Sequence, residues 1–145
     1  MTIAEQLWDI EQIKQLKARY FRLLDTKDWG AFADLFTEDC LHYLPQPAPT
    51  AAVGNEDYLR GLKAQLADHA TVHHGHMPEI TLVSETEAEG IWSMFDYVEA
   101  DVASGHIRLQ GYGHYFETYR KAEDGRWRIS SKRNVRLRVD NLPTD

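Results

Sequence analysis

The sequence lacks the features that mark several large classes of protein. Cys40 is the one cysteine in 145 residues, which excludes an internal disulfide framework and a multi-cysteine metal site and is typical of a reducing compartment. No apolar run is long enough to span a bilayer, and no basic-then-apolar leader opens the chain. The net charge of -7 argues against nucleic-acid binding, which needs clustered basic residues. We therefore expect an acidic, cytoplasmic protein that binds neither nucleic acid nor membrane.

What is present fits one globular domain over residues 1–145. Hydrophobic residues make up 43% of the chain and aromatic residues 11%, enough to fill a core or to line a cavity. Helical spacing dominates the first half of the chain and strand-like alternation the second.

Three helices are predicted in the first half of the chain. Thr2 and Glu5 form a capping-box pattern, and apolar residues at helical spacing extend the first helix to about Leu24. Asp28 and Asn55 are predicted to be the N-caps of a short second helix and of a third. The core side of the second helix is predicted to hold Trp29, Phe32 and Phe36.

The pattern of the remaining segments predicts one short early strand and a series of strands in the second half of the chain. A short strand at 41–44 and a loop through Pro45, Pro47 and Pro49 precede the third helix. Further strands are predicted at 80–83, 91–98, about 107–119 and 127–139, with a hairpin at 123–125. A chain that begins with helices and continues as an antiparallel meander is typical of the α+β class. We therefore predict three helices packed on one face of a curved antiparallel sheet. A strongly bent sheet of this kind would enclose a pocket.

Three of the seven histidines, His73, His74 and His76, fall between a predicted helix and a predicted strand. The pKa of imidazole lies near neutral pH, which suits it to general acid–base catalysis. In extended backbone His74 and His76 share one side and His73 takes the other, so at least one should face the interior. Solvated histidines at a junction are the simpler interpretation. A zinc site would need three or four converging ligands, and we predict no metal.

Two carboxylates could serve such a histidine. Asp25 lies at the end of the first helix, where the helix dipole disfavours negative charge, so it needs a partner; a turn residue is the alternative. Tyr20 lies five residues earlier and is a core residue by default. Alternation groups Asp96 with Trp92 and Met94 on an apolar face, where a carboxylate must be paired or raise its pKa. The reverse alternation, with Asp96 solvated, is the alternative.

The last strands add weaker candidates. Tyr112 and His114 share a strand face with Phe116. Arg133 could direct its guanidinium into a pocket, although a solvated sheet edge is equally consistent.

The chain resembles the SnoaL-like branch of the NTF2-like superfamily, which includes scytalone dehydratase, lindane dehydrochlorinase and the bile-acid 7α-dehydratases. The resemblance covers nearly the whole chain. Its motifs are Tyr20–Asp25, Thr-x-His at Thr71–His73, Gly-His-x-Pro-Glu-Ile at Gly75–Ile80, Gly-Ile-Trp-x-Met at Gly90–Met94, Gly-His-Tyr at Gly113–Tyr115 and Asp-Gly-x-Trp at Asp124–Trp127.

The resemblance implies a cone-shaped α+β barrel with an internal pocket and an Asp25–His73 dyad, to which Tyr20 and Asp96 add a second pair. It selects His73 over His74 as the base. Substrate contacts are expected from the pocket residues His76, Trp92, Met94, Tyr112, His114 and Arg133.

The function this implies is a cofactor-independent lyase of the dehydratase type, or an isomerase, acting on a hydrophobic, cyclic, oxygenated small molecule. The alternatives are a non-catalytic binding module and a structural module like the small subunit of a ring-hydroxylating dioxygenase, because the superfamily hosts many functions. We also expect a homodimer or homotrimer, since one face of such a sheet tends to stay exposed and apolar.

Overall fold

The computed structural model describes residues 1–43 and 52–144. The predicted proline-rich loop through Pro45, Pro47 and Pro49 lies outside these residues. The elements in chain order are α1 Ile3–Asp25, α2 Trp29–Ala33, β1 Phe36–Tyr43, β2 Ala52–Gly54, α3 Asn55–Leu66, β3 Thr71–Leu82, β4 Glu87–Val102, β5 Gly105–Lys121 and β6 Trp127–Asn141.

Helix α1 begins as predicted, with a reciprocal capping box. The Glu5 backbone N–H donates to Thr2 Oγ1 at 3.1 Å, and the Thr2 N–H donates to Glu5 Oε2 at 2.6 Å. Its buried stripe includes Ile13, Leu16, Tyr20 and Leu24, at three- and four-residue intervals. None of the helices in the described ranges is long and apolar enough to cross a membrane.

The six strands form one sheet in the order β2-β1-β6-β5-β4-β3. Its inner face packs against the helices, with α1 on β3 and β6 and α3 on β1 and β4. The α+β class with three helices is confirmed. The prediction of a wholly antiparallel, barrel-like sheet is wrong, because β1 runs parallel to β6 and the outermost strands β2 and β3 do not pair with each other. Alternation predicts strands but not the pairing of strands that no hairpin joins.

Several elements differ in their bounds from the sequence prediction. Phe36 opens β1 instead of extending α2, and it is buried at the start of the parallel pairing with β6. Gly54, not Asn55, is the N-cap of α3. Asn55 is instead the first residue of the helix, and its side-chain oxygen contacts His42. Strand β2, which was not predicted, leads directly into α3.

The histidine stretch lies inside β3 and not at a junction before it. Strand β3 begins at Thr71, and its pairing with β4 shifts between His76 and Glu79. Met77 at this bulge has a left-handed φ of 48°. His73 is buried while His74 and His76 are exposed, which is the separation that extended backbone predicts.

His42 is a buried histidine that the sequence did not single out. Its ring stacks on Tyr58 with centroids 3.7 Å apart, and its Nε2 lies 3.0 Å from Asn55 Oδ1. Burial, and secondarily the charge of Lys132, lower the pKa of His42 to about 4. The ring is therefore neutral in the folded protein at neutral pH.

His42 should make the protein sensitive to acid. Above the unfolded-state pKa of about 6.5 both states hold a neutral ring. As the pH falls from there towards 4, the unfolded chain takes up a proton that the folded one does not, and stability falls by up to about 3 kcal/mol. His42→Phe should remove this part of the pH dependence, measured by urea unfolding between pH 7.5 and 4. The exposed control His76→Gln should keep it, and an unchanged profile in His42→Phe would refute the assignment.

Candidate active site

The carboxylate of Asp25 joins the end of α1 to the start of β3. Its Oδ1 accepts from the His73 ring Nδ1 at 2.7 Å and from Thr71 Oγ1 at 2.9 Å. Its Oδ2 accepts from the His73 backbone N–H at 2.8 Å. Lys27 Nζ donates to Thr71 Oγ1 at 2.6 Å, which brings a cation beside a carboxylate that the helix dipole disfavours. The contact between Asp25 and His73 that the resemblance implied is thus present.

The ring of His73 has one nitrogen committed and the other available. An ionised Asp25 can only accept, so Nδ1 carries the proton in the neutral ring and Nε2 keeps its lone pair. Nε2 lies 3.9 Å from Asp96 Oδ2, beyond hydrogen-bond distance, and the His73 side chain is 8% exposed. Nε2 is therefore a hydrogen-bond acceptor that is largely shielded from solvent.

Asp96 faces inward, as the alternation of β4 predicts, and the reverse alternation is wrong. Its carboxylate is 1% exposed and accepts two parallel bonds from Arg136, Nη1 to Oδ1 at 2.8 Å and Nη2 to Oδ2 at 2.7 Å. Burial acts to lower the pKa of Arg136, but the bonds and charge of Asp96 outweigh it and raise that pKa. Of the two outcomes expected for a buried carboxylate, pairing is the one observed.

Tyr20 is buried, 2% exposed, and its ring packs against Phe32 and Tyr115. Burial, followed by the neighbouring Tyr58, raises the pKa of the Tyr20 phenol well above its usual value. The phenol is therefore a neutral hydrogen-bond donor at any physiological pH.

These side chains meet at a cavity of about 340 Å³ between the inner face of the sheet and helices α1 and α3. Tyr20, His73, Asp96 and Arg136 contribute to its polar wall. The apolar part of the wall includes Leu24, Leu62, Leu66, Val98 and Leu109. Its volume lies at the lower end of the range of ligand sites, about 300–1,000 Å³. Such a lining suits a mainly apolar molecule with a few oxygen atoms.

The predicted substrate contacts are not brought together at this cavity. Trp92 and Met94 face inward but pack into the core, where the Trp92 indole N–H donates to Tyr119 Oη at 2.8 Å. Tyr112, His114 and His76 lie on the outer face of the sheet, opposite the helices. Alternation groups residues on a face without saying which face is inside.

Arg133 also faces outward, with its guanidinium 4.5 Å from the ring centroid of Tyr43. It lines a separate depression of about 380 Å³ on the outer face, together with Phe116, Glu79 and Glu89. Neither Asp25 nor His73 contributes to that depression.

A bulge in β6 places Arg133 on the outer face and Arg136 on the inner face. Ile129 pairs with Tyr119 and Ser131 with Thr118, so one residue of β6 is left unpaired and the alternation shifts. Counting by twos from buried Trp127 leads to Arg133, whereas Lys132, Asn134 and Arg136 line the cavity. The signal that could have found Arg136 is the need of buried Asp96 for a cation.

The histidine stretch does not converge on a metal position, since His73 faces inward while His74 and His76 face outward. Elsewhere in the described ranges, His69, Asp101 and His106 place their possible ligand atoms within 4.8 Å of one another. Asp101 is already paired there, 2.8 Å from His69 Nε2 and 3.4 Å from His106 Nδ1. This cluster does not contribute to the cavity wall.

The structure combines an α+β fold with a histidine–carboxylate contact at the wall of a cavity. The family model of the SnoaL-like domain matches residues 5–133, and the chain therefore belongs to the SnoaL-like family. A relative named Probable cyclase FGR4, from Gibberella zeae, is 22% identical over 134 residues, which cover 86% of this chain and 89% of that protein.

Solved structures share the fold over nearly the whole chain. A structure from Novosphingobium aromaticivorans that carries the name scytalone dehydratase superposes on this chain with a TM-score of 0.78 at 24% identity. The match covers 99% of this chain and 94% of the other. Hexachlorocyclohexane dehydrochlorinase LinA-type3 from Novosphingobium barchaimii gives 0.77 at 16% identity, covering 99% and 97%. At these identities the likeness establishes the fold alone.

A substitution at Gly111 tests whether the close packing around the Asp96–Arg136 pair contributes to stability. A Cβ at this position would collide with the Arg136 guanidinium and the Asp96 carboxylate. Gly111→Ala should therefore displace Arg136, leave Asp96 buried without its cation, and lower the free energy of unfolding by about 2 kcal/mol or more. Urea unfolding measures the change. Gly30→Ala, where a Cβ meets no atom within 4 Å, is the control and should cost nothing; equal stability of both variants would contradict this geometry.

Proposed function

We propose that this protein is a cofactor-independent lyase of the dehydratase type, or an isomerase, with His73 as the general base. The observation that carries the proposal is the His73 ring, bonded to Asp25 at 2.7 Å through Nδ1, which leaves Nε2 available beside the cavity. The proposed substrate is a hydrophobic, cyclic, oxygenated small molecule, in keeping with the mostly apolar wall of the cavity.

Each neighbouring group has a role in the proposed reaction. His73 Nε2 removes a proton from the carbon beside a carbonyl group, and Asp25 stabilises the imidazolium that forms. The neutral phenol of Tyr20 donates a hydrogen bond to the carbonyl oxygen as it becomes an enolate. In a dehydratase the imidazolium returns the proton to the departing hydroxyl, giving water and an enone. In an isomerase the proton returns to another carbon.

Asp96 is proposed to act through its charge and not as a second acid–base group. Both of its oxygens accept from Arg136, and Oδ2 lies 3.9 Å from His73 Nε2. From there its charge would stabilise the imidazolium from the side opposite Asp25.

A structural role for the same contact is the second candidate. Asp25 also accepts from the His73 backbone N–H and from Thr71, so it fastens α1 to β3 whether or not the ring does chemistry. In that case the protein would be a non-catalytic binding module, or a structural one like a dioxygenase small subunit.

Self-association as a dimer or trimer is part of the proposal. The outer face of the sheet exposes apolar side chains, among them Val72, Tyr112, Phe116 and Leu137.

The proposed role of His73 as the general base is tested with a bicyclic β-hydroxy ketone as substrate. The native protein should speed the loss of water from 3-hydroxy-1-tetralone, which yields fluorescent 1-naphthol, or the exchange of its C2 protons with deuterated solvent. His73→Ala should lower the rate by about 10²–10⁴-fold, because a positioned base contributes that much. His76→Ala, on the outer face, should keep the native rate. Full activity in His73→Ala, or no acceleration by the native protein in either assay, would refute the proposal.

Asp25→Asn separates the catalytic from the structural role. The Asn amide would donate to Nδ1, so the ring would carry its proton on Nε2 and lose its free lone pair. We expect kcat to fall by about 10²–10⁴-fold while KM changes little, with the far-UV circular dichroism retained. Asp68→Asn, in the exposed turn after α3, is the control. A large loss of thermal stability with unchanged kcat would favour the structural role.

A further inference from the structure

Lys132 is a buried cation at the cavity wall that the proposed reaction does not use. It is 6% exposed and lies on the inner face of β6. Its ammonium sits 4.8 Å from the ring centroid of Tyr58 and 5.9 Å from that of Tyr20, so it approaches the polar end of the cavity. Aromatic faces stabilise a cation only partly once water is removed.

The carboxylate that lies across the strand pair from Lys132 is bonded to other groups. Glu117 is the cross-strand neighbour of Lys132, but its Oε2 accepts from Lys17 Nζ at 2.8 Å and its Oε1 from Tyr119 Oη at 2.9 Å. Over residues 1–43 and 52–144, no carboxylate oxygen lies within 4 Å of Lys132 Nζ. The other cation lining the cavity, Arg136, is paired with Asp96.

A second unpaired polar group lies two residues further along the same face. Asn134 lines the cavity, and its side-chain oxygen is buried without a hydrogen-bond partner in the described part of the chain. Buried polar groups are nearly always paired, and an unpaired buried charge is expensive. Two such neighbours on one cavity wall indicate that a bound molecule completes their bonding.

We infer that Lys132 anchors a carboxylate of the substrate, so that the oxygenated molecule bound here is an organic acid and binds more tightly than its neutral analogue. A permanent anion compensates the ammonium in the bound state, whereas a neutral carbonyl would leave its charge unbalanced. The Asn134 side-chain oxygen would accept a hydrogen bond from a hydroxyl group adjacent to that carboxylate. The inference rests on the proposed function only in taking this cavity as the substrate site.

Two probes of the same shape test the inference by binding alone. Isothermal titration at pH 7.5 compares 2-naphthoate with its neutral analogue 2-naphthamide. The native protein should bind the naphthoate at least about tenfold more tightly, the gain expected of a hydrogen bond to a charged group. In Lys132→Met the preference should fall to about one. The exposed control Lys63→Met should keep the native preference.

Two further variants keep the result interpretable. His73→Ala should keep the preference for naphthoate, so a failed catalytic assay and a failed anchor are distinguishable. Lys132→Gln serves as a second variant of the anchor, and we expect neither variant at this position to melt below the native protein, because each removes an unpaired buried charge. Failure of the native protein to bind naphthoate, equal binding of the two probes, or a preference retained without Lys132 would overturn the inference.

Discussion

The contact between Asp25 and His73 is the constraint on which the candidate site depends. Asp25 ends the first helix, and its three accepted hydrogen bonds, two of them from His73, seat that helix on strand β3. The same bonds determine which ring nitrogen carries the proton. A carboxylate at a helix C-terminus is unfavourable in isolation, and the nearby cation of Lys27 offsets that cost. The unfavourable position of Asp25 is thus retained where its bonds hold the His73 ring in place.

The inner face of the sheet carries an unusual amount of buried charge for a small protein. Lys17 pairs with Glu117 and Arg136 with Asp96, each at hydrogen-bond distance. Buried pairs of this kind contribute little net stability and hold side chains in fixed geometry. Lys132, which lacks such a pair in the described part of the chain, differs from them. The paired charges hold the shape of the cavity, whereas the inferred role of Lys132 is to bind a ligand.

Local rules were sufficient for much of this structure. The capping box, the N-cap at Asp28 and the inward side of Asp96 all follow from interactions within a few residues, and all are observed. The rest depends on contacts that sequence spacing does not encode. The parallel pairing of β1 with β6 joins distant segments, and the bulge in β6 moves Arg133 outward and Arg136 inward. One unpaired residue is enough to reverse which side chains of a strand face inward.

The protonation of the His73 ring tests the central claim most directly. Long-range 15N–1H correlation spectra of the native protein distinguish the two tautomers of the neutral ring. We expect the neutral ring to be protonated on Nδ1, with Nε2 bare, and to change to the Nε2–H tautomer in the Asp25→Asn variant. An Nε2–H tautomer in the native protein would contradict this claim, because no base would then face the cavity.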